Sequence, residues 1–355
     1  MKSLKLKGSY YEMGTQLGKI LKGRLDLPEA DTKKLEWASK CESVMEQYTP
    51  ELLEELQGIA DTANLEKARL NAIILYDCSN IKNFYTGTSP IQHCTVFTIP
   101  REHTENGKPV IARNYDWLTE VQEHFAMHRI HPTHKERNVL FTDHYVGGYG
   151  GVNEAGLACG CTIAAYYDGI IKPAIMINMA MRWILDSFQN TEDAVAFLEE
   201  GPISEGSIYL IADKYGVSAR VEAVPDKVCT TYAQDEFLIA TNHFQSKEMQ
   251  QLETTITEAN AHTTITRLEG ITHWYNTQKK PITIDSIKSI LRDHEHGVCD
   301  HQQGVSYNEA GEREEEDIAG TLWSWIATLG TNEIEVCAGS PCKNDYTVEP
   351  VRLEE

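Results

Sequence analysis

The first ninety residues carry apolar side chains at helical spacing. In residues 10–24 the apolar positions recur every three or four residues, which is typical of an amphipathic helix. The pattern returns in roughly 31–48, in the stretch PELLEELQGIADTA that begins at Pro50, and in roughly 66–78. Because proline is well tolerated in the first turn of a helix, Pro50 marks a helix start. We therefore predict that the first ninety residues are mostly helical.

Near residue 93 the pattern changes from helix to strand. The segments CTVFTIP and KPVIARNYDW both read as strands, and Asn106-Gly107 between them is a strong hairpin-turn signal. Further strands are predicted at 137–145, 157–163, 207–213, 217–224, 228–233 and 237–242, and in the late segments TLWSWIATL and EIEVCAG.

Helices and one polar stretch separate these strands. Helices are predicted at 173–200, 245–279 and 284–293. The polar and acidic run at 301–317 is predicted to be an exposed loop, because a charge run is usually a solvated surface. Antiparallel strands with helices before, between and after them indicate a layered α+β domain.

The composition is that of a globular protein and excludes some partners. With 355 residues, 41% of them hydrophobic and 24% charged, the chain can bury a substantial core. Its net charge of −21 argues against nucleic acid or an anionic membrane as partner, because both would repel it. The sequence has neither a secretory signal nor an apolar run near the roughly 18 residues that a membrane span needs. We therefore expect a cytoplasmic protein with no membrane partner.

The nine cysteines form no recognisable metal motif or disulfide framework. Their number is odd, their spacing is scattered, and no CxxC pair occurs. The close pairs Cys159/Cys161 and Cys337/Cys342 lack histidines at zinc-finger spacing. We expect reduced, mostly buried thiols, with no metal site and no cofactor.

One cysteine lies where a hairpin brings a carboxylate close to it. Folding about Asn106-Gly107 sets Cys94 opposite residues near 117–119, with Asp116 within a rung or two. Arg113 and Asp116 are three positions apart, so strict alternation places them on opposite faces of the strand. Both reach Cys94 only if the strand bulges or ends between them.

A family resemblance rests on segments spread over almost the whole length. In chain order these are GSYYEMGTQLG, PELLEELQGIA, CTVFTIP, GKPVIARNYDW, GGVNEAGLACG, MRWILDSFQNTEDAVAFL, IATNHF, HTTITRLEGI and CAGSPC. By their order and spacing the chain resembles the acyl-CoA:6-aminopenicillanic-acid acyltransferase family. That family belongs to the N-terminal-nucleophile (Ntn) hydrolases and is related to the choloylglycine hydrolases.

The resemblance implies a fold and a maturation step. The fold is an αββα sandwich of two stacked antiparallel sheets flanked by helices, made as an inactive precursor. The chain breaks between His93 and Cys94, which leaves a helical pro-segment, 1–93, and a catalytic chain, 94–355, in one compact unit. The freed α-amine, with a reference pKa of about 7.7–8.0, then serves as general base.

The resemblance also assigns roles to residues of the site. Cys94 is the nucleophile, and Asp116 orients the new α-amine. Arg113 lowers the pKa of the thiol, and Asn242 donates to the oxyanion, a contact typically worth about 3–4 kcal/mol in the transition state. Arg267 supports the site or contacts substrate. Alternatives stay open: Arg113 and Asp116 could form an ordinary hairpin ion pair, and Asn242 could simply end a strand.

Four further residues are candidates with weaker signals. Asn153, Tyr166 and His243 are candidates for substrate binding or support, although Asn153 in VNEAG also suits a turn. His93 stands where family members commonly have glycine. A side chain there must fit the strained geometry that precedes cleavage, so this position bears directly on autoprocessing.

These residues predict an autoprocessed cysteine amidohydrolase. It would cleave a linear, non-peptide C–N amide bond through a thioester. One alternative is an acyltransferase that passes the acyl group to an amine; another is an unprocessed relative that binds a small molecule. A papain-like Cys–His pair has no local pattern to support it. The expected partner is a small-molecule amide or acyl substrate, with a homo-oligomer left open.

Overall fold

The computed structural model describes residues 2–24, 27, 29–76, 94–143, 145–256, 258–307 and 313–352. Within these ranges the strands are β1 (Lys2–Gly8), β2 (Thr95–Ile99), β3 (Val110–Leu118), β4 (Ala126–Pro132), β5 (Asn138–Thr142), β6 (Gly150–Asn153), β7 (Leu157–Ile163), β8 (Ser207–Asp213), β9 (Val217–Val224), β10 (Lys227–Gln234), β11 (Leu238–Ala240), β12 (His301–Tyr307), β13 (Arg313–Thr328), β14 (Glu333–Ala338) and β15 (Thr347–Pro350). The helices are α1 (Tyr10–Leu21), α2 (Thr32–Tyr48), α3 (Pro50–Ala63), α4 (Lys67–Ile74), α5 (Ile177–Ser187), α6 (Thr191–Glu200), α7 (Lys247–Gln250), α8 (Glu258–Thr277) and α9 (Ile284–Leu291).

The strands form two sheets. The first has eight strands in the order β1-β4-β5-β6-β7-β8-β9-β10, and the second has seven, in the order β11-β2-β3-β13-β14-β15 with β12 paired to β13. All pairings between the strands named above are antiparallel except that of β1 with β4. Each sheet is therefore dominated by antiparallel ladders, as the α+β prediction required.

Alternation along the strands separates the core into layers. In β2, Val96 packs between the two sheets, whereas the next residue, Phe97, packs outward against α8 and α9. In β8, Leu210 lies between the sheets and Tyr209 faces the helices of the N-terminal half. Since successive side chains of a strand point to opposite faces, each sheet is covered by helices on one side and by the other sheet on its second side. The predicted αββα sandwich is confirmed.

The N-terminal segment is built into the first sheet. Strand β1 pairs with β4 over its whole length, and only the helices that follow were predicted. Leu4 and Leu6 do alternate with basic residues, but two leucines are too short a pattern to identify a strand from sequence. Ser9 then caps α1 with a capping box closed by Glu12.

The stretch predicted as an exposed loop at 301–317 is a strand pair instead. His301–Tyr307 and the beginning of Arg313–Thr328 pair antiparallel, with a register shift between Gln302 and Gln303. Charged residues are compatible with a strand at the border of a sheet, where they discourage pairing with other chains. The charge run therefore misled the prediction. None of the helices in the described residues is long and apolar enough to cross a membrane.

Candidate active site

Cys94 lies immediately before β2, at the end of a hairpin with β3. The register pairs Thr95 with Asn114, so Cys94 falls opposite Tyr115 and one residue from Asp116. The predicted partners near 117–119 were wrong by a few residues. The connection between the strands includes a 3-10 turn at Arg101–His103, so the hairpin is not centred on Asn106-Gly107.

A buried arginine contacts the sulfur of Cys94. Nη2 of Arg113 lies 3.4 Å from Sγ, and Nη1 donates to the carbonyl of Cys161. The guanidinium is fully buried and lies 5.6 Å and 5.7 Å from the ring centroids of Tyr115 and Trp323, within the range of cation–π attraction. Burial raises the pKa of the Cys94 thiol, and the charge of Arg113 opposes that rise.

Two glycines on the facing sheet leave room for this arginine. Gly150 in β6 and Gly160 in β7 are paired with each other. A Cβ added to Gly160 would lie 2.9 Å from Cγ2 of Val96 and 3.5 Å from Cδ of Arg113, and one added to Gly150 would lie 3.2 Å from the same Cδ. A methyl group at position 150 would therefore crowd Trp325 and the arginine that touches the thiol, whereas one at position 160 would crowd Val96 and come into ordinary contact with the arginine.

Asp116 approaches Cys94 from the other face of β3. Residues 113 and 115 point between the sheets, whereas 114 and 116 point toward the helices. Asn114 shows this directly, since its amide donates to the carbonyls of Leu291 and Val298 at 2.9 Å and 2.7 Å. No bulge in β3 is needed, because Cys94 stands at the strand end, within reach of both faces. The irregularity lies instead in the partner strand β13, near residue 322.

The carboxyl group of Asp116 is buried, and in the part of the chain that the structure describes neither of its oxygens has a donor at normal hydrogen-bonding distance. Its backbone carbonyl lies 3.9 Å from Sγ of Cys94. Burial raises the pKa of Asp116 to about 8; Arg267, the looser contact with the hydroxyl of Thr321 and Arg113 oppose the rise. An unpartnered buried carboxyl is costly, and such a group beside a thiol suggests a function.

Arg267 of α8 connects Cys94 to Asn242. Its Nη1 donates to the carbonyl oxygen of Cys94 at 2.6 Å and to Oγ1 of Thr95 at 2.7 Å. Its Nη2 donates to Oδ1 of Asn242 at 3.0 Å. Burial lowers the pKa of Arg267, and Asp116 opposes that shift. Arg267, whose role was the least certain from the sequence, thus hydrogen-bonds directly to both Cys94 and Asn242.

The side chain of Asn242 is oriented by its contacts with described residues, and these contacts use one of its two N–H protons. It follows β11, and its backbone N–H donates to Oγ1 of Thr264 at 2.9 Å. Nδ2 donates to the carbonyl of Ile163 at 3.0 Å. A primary amide carries two N–H protons; the hydrogen bonds among the described residues use one of them, which leaves the second for a ligand.

His243 and Tyr166 lie against the same helix. Nδ1 of His243 is 2.8 Å from Oγ1 of Thr264, and burial lowers the pKa of His243 to about 4, so the imidazole is neutral at pH 7. Burial raises the pKa of Tyr166, and its hydrogen bond with Thr263 and the charge of Arg267 oppose that rise. Both residues therefore belong to the surroundings of Arg267.

Asn153 is not brought into this cluster. Its amide donates to the carbonyls of Leu185 and Phe188 at 3.1 Å and 2.7 Å, and its Oδ1 accepts from the N–H of Leu157 at 3.0 Å. These bonds join the β6–β7 turn to the end of α5, which is the turn role that the sequence left open. His93 lies outside the described residues.

Two residues of the site carried no prediction. Thr264 bonds both Asn242 and His243, and it precedes Arg267 by three residues, so its position on the same helix face was visible in the sequence. Thr321, which pairs with Asp116 across the ladder, gave no such signal. Its importance depends on the pairing of two strands far apart in sequence.

The sequence matches the model of one protein family. That model, described as acyl-coenzyme A:6-aminopenicillanic acid acyl-transferase, matches residues 103–343, more than half of the chain. The match includes Arg113, Asp116, Asn242 and Arg267 and begins nine residues after Cys94. No curated protein matches the sequence.

Several solved structures are similar to the fold at low sequence identity. Penicillin V acylase from Agrobacterium tumefaciens is 21% identical, with 69% of this chain and 83% of that chain covered and a TM-score of 0.46. A variant of conjugated bile acid hydrolase from Clostridium perfringens is 14% identical, covering 73% and 89%, with a TM-score of 0.38. The Caenorhabditis elegans ortholog of N-acylethanolamine-hydrolyzing acid amidase is 12% identical, covering 66% and 92%, with a TM-score of 0.44. Likenesses below a TM-score of 0.5 indicate no substrate for this chain.

Proposed function

The chain belongs to the acyl-coenzyme A:6-aminopenicillanic acid acyl-transferase family, and we propose that it is an amide hydrolase whose nucleophile is the sulfur of Cys94. The contact between that sulfur and Arg113 carries the proposal. Of the eight cysteines that the structure describes, Cys94 is the one whose sulfur accepts from a guanidinium in the described hydrogen bonds. A nearby cation favours the thiolate, which is the nucleophilic form of cysteine.

The first reaction of Cys94 is cleavage of the chain itself. The thiol of Cys94 attacks the carbonyl carbon of residue 93, and the acyl group moves from the backbone nitrogen to sulfur as the C–N bond breaks. Water then hydrolyses the resulting thioester. The products are a carboxyl group on residue 93 and a free α-amine on Cys94, with one water consumed and the thiol regenerated.

The unpartnered carboxyl of Asp116 supports this maturation step. An α-amine carries more N–H donors than the peptide nitrogen that it replaces, and both Asp116 oxygens lack a donor within the described residues. We assign Asp116 the role of orienting the amine, which then acts as general base. A reference pKa of about 7.7–8.0 suits an α-amine to proton exchange near neutral pH.

Catalysis on a substrate repeats the same chemistry. The amine accepts the thiol proton as sulfur attacks the substrate carbonyl, and the free N–H of Asn242 donates to the oxyanion. The C–N bond breaks, the leaving amine takes the proton, and a thioester remains on Cys94. Arg267 hydrogen-bonds to both Asn242 and the Cys94 carbonyl. These two bonds fix the distance between the nucleophile and the oxyanion donor.

Deacylation of the thioester decides between the two activities of the family. Water as acceptor gives an amide hydrolase, and an amine as acceptor gives an acyltransferase. Both share every residue described above. We favour hydrolysis of a linear, non-peptide amide, because water is always present whereas transfer requires a dedicated acceptor site.

A thiol-variant comparison tests the proposal. Purified wild type, Cys94→Ala and Cys161→Ala are incubated with a panel of N-acyl amines and N-acyl amino acids, with and without an added acceptor amine. Cys161 is a matched control, because it is a buried neighbouring thiol and only its backbone carbonyl contacts Arg113.

We expect wild type and Cys161→Ala to release amine and Cys94→Ala to release none. Acyl transfer to the added amine in place of acid formation would assign the acyltransferase activity. Release of amine by Cys94→Ala at the wild-type rate would overturn the role of Cys94.

A further inference from the structure

Four metal-binding side chains converge at one end of the second sheet. They are His294, Cys299, His301 and Cys342, and one donor atom from each lies within 4.8 Å of the other three. Nε2 of His301 is 3.1 Å from Sγ of Cys342 and 3.7 Å from Sγ of Cys299. Two imidazoles and two thiols in one cluster form the donor set of a tetrahedral zinc site.

Separate parts of the chain supply these donors. His294 and Cys299 lie in the connection that follows α9, His301 opens β12, and Cys342 lies in the turn after β14. The local spacing matches no zinc-finger motif, which is why the cysteine pattern predicted no metal. Only the pairing of β12, β13 and β14 brings Cys342 to the other three.

The distances suit a small tetrahedral ion. Zn–S bonds of about 2.3 Å and Zn–N bonds of about 2.0–2.1 Å place neighbouring sulfur and nitrogen ligands about 3.6 Å apart. The distances from Nε2 of His301 to the two sulfurs, 3.1 Å and 3.7 Å, lie on either side of that value. Shifts of a few tenths of an ångström in the side chains would complete the geometry.

A carboxylate orients the central histidine as in many metal sites. Nδ1 of His301 is 3.1 Å from Oδ2 of Asp317, so a proton on Nδ1 is donated to Asp317 and the lone pair of Nε2 points toward the sulfurs. Asp317 is itself held by Nζ of Lys343 at 2.8 Å. Such carboxylate–histidine contacts commonly fix the tautomer of a metal ligand.

We propose that His294, Cys299, His301 and Cys342 form a structural Zn²⁺ site. Two thiolates balance the ion's two positive charges and two neutral imidazoles add none, so the complex is neutral. Neutrality suits a position where Cys299 is buried and His301 is partly buried. Four protein ligands leave no open coordination position, which is typical of structural and not of catalytic zinc.

The site would stabilise the strand behind Asp116. Between two of the ligands, Asp300 makes two hydrogen bonds with Thr321. Its N–H donates to the side-chain Oγ1 of Thr321 at 3.0 Å, and its carbonyl accepts from the Thr321 N–H at 3.0 Å. Thr321 pairs with Asp116 in the ladder. A metal that fixes Cys299 and His301 therefore also fixes the position of Thr321.

Metal analysis of the full-length protein tests the proposal. Protein purified without chelator is assayed for bound metals by mass spectrometry, then stripped and titrated with ZnCl₂ alone. We expect one Zn²⁺ per chain and a melting temperature that falls after stripping. Co²⁺ in place of Zn²⁺ should give the visible absorption bands of tetrahedral thiolate coordination.

Variants locate the ion. Cys342→Ser and His294→Ala should weaken Zn²⁺ binding at least tenfold. Because the side chain of His294 is exposed to solvent, His294→Ala is the variant that should disturb folding least. His296→Ala is the matched control, because His296 belongs to a neighbouring acidic group with Asp293 and Glu295. That variant should bind Zn²⁺ like wild type.

Three results would overturn the site. One is no zinc at saturating ZnCl₂, the second is equal binding by Cys342→Ser, and the third is a native mass two daltons low with Cys299 joined to Cys342. The Cys94→Ala variant should keep its zinc, so a failure of the catalytic proposal and a failure of the metal site give different results.

Discussion

The guanidinium of Arg113 lies 3.4 Å from the sulfur of Cys94 in the interior of the sandwich. Its other described contacts are a backbone carbonyl and two aromatic rings, none of which carries a negative charge. Among the described residues no carboxylate accepts a hydrogen bond from this guanidinium. Its charge favours the ionised forms of two buried neighbours, the thiol of Cys94 and the carboxyl group of Asp116.

Removing this charge should make the thiol less acidic. In Arg113→Met we expect the pKa of Cys94 to rise, because a nearby positive charge favours the thiolate and its removal leaves the effect of burial unopposed. The measurement is the rate of alkylation by iodoacetamide as a function of pH. Arg113→Lys, which keeps the positive charge but not the planar guanidinium, should still lower the pKa of the thiol in part. An unchanged profile in Arg113→Met would show that the arginine is only structural.

The space provided by Gly160 should be needed for the packing of Val96, two residues after Cys94. An added methyl group would lie 2.9 Å from Cγ2 of Val96, and overpacking of this kind typically costs about 1–3 kcal/mol. We expect Gly160→Ala to lower both the unfolding free energy and the alkylation rate of Cys94. The double variant Gly160→Ala/Val96→Ala frees the crowded space and should recover part of each. If the double variant recovers neither the unfolding free energy nor the alkylation rate, crowding of Val96 is not the cause of the loss.

The N-terminal segment should stay bound after cleavage. Nη2 of Arg182 in α5 contacts Glu55 of α3 at 3.1 Å, its Nε contacts Asp186 at 2.7 Å, and Tyr10 of α1 donates to the same Asp186 at 2.7 Å. These groups are buried, so Arg182→Met leaves two carboxyl groups without their cation. We expect a loss of about 3–5 kcal/mol in urea denaturation.

A surface pair provides the control for Arg182. Lys67 and Glu42 are 3.9 Å apart and partly exposed, so Lys67→Met should cost at most about 1 kcal/mol.

Native size-exclusion chromatography should show the 1–93 fragment eluting with the remainder of the chain. Separation of the fragments without denaturant would contradict the integrated fold.

Acid should destabilise the fold through His128. Burial lowers the pKa of His128 from 6.5 to about 3, with a smaller contribution from Arg182. A lowered folded-state pKa means that the neutral histidine's stability is present above pH 6.5 and is lost as the pH falls toward 3. The loss per group is up to about 1.4 kcal/mol per pH unit. We expect the unfolding free energy of His128→Gln to depend less steeply on pH between 6.5 and 4 than that of wild type. Equal slopes for the two proteins would show that His128 does not cause the acid destabilisation.

The core strands were predictable because their patterns are long. The bounds 157–163, 207–213 and 217–224 read from sequence are those observed for β7, β8 and β9. Short or charged strands were not, as β1 and the 301–317 region show. Packing on neighbouring strands decides such segments, and local composition does not record that packing.

Contacts within the site were predictable from the sequence only between residues that are close together in the chain. The hairpin alone places Arg113 and Asp116 near Cys94, although the register differed from the prediction. The bridge from Arg267 to Asn242 and the pairing of Thr321 with Asp116 join segments distant in sequence. A local pattern carries no information about such contacts.

N-terminal sequencing of the purified, fully incubated protein tests the role of Cys94 most directly. If Cys94 is an N-terminal nucleophile, we expect a second N-terminus that reads Cys-Thr-Val-Phe-Thr, from a chain of 262 residues beside one of 93. Cys94→Ala should yield only the N-terminus of the uncleaved chain. A wild-type protein that shows the single sequence Met-Lys-Ser-Leu-Lys after prolonged incubation, while still cleaving amides, would contradict an N-terminal nucleophile at position 94.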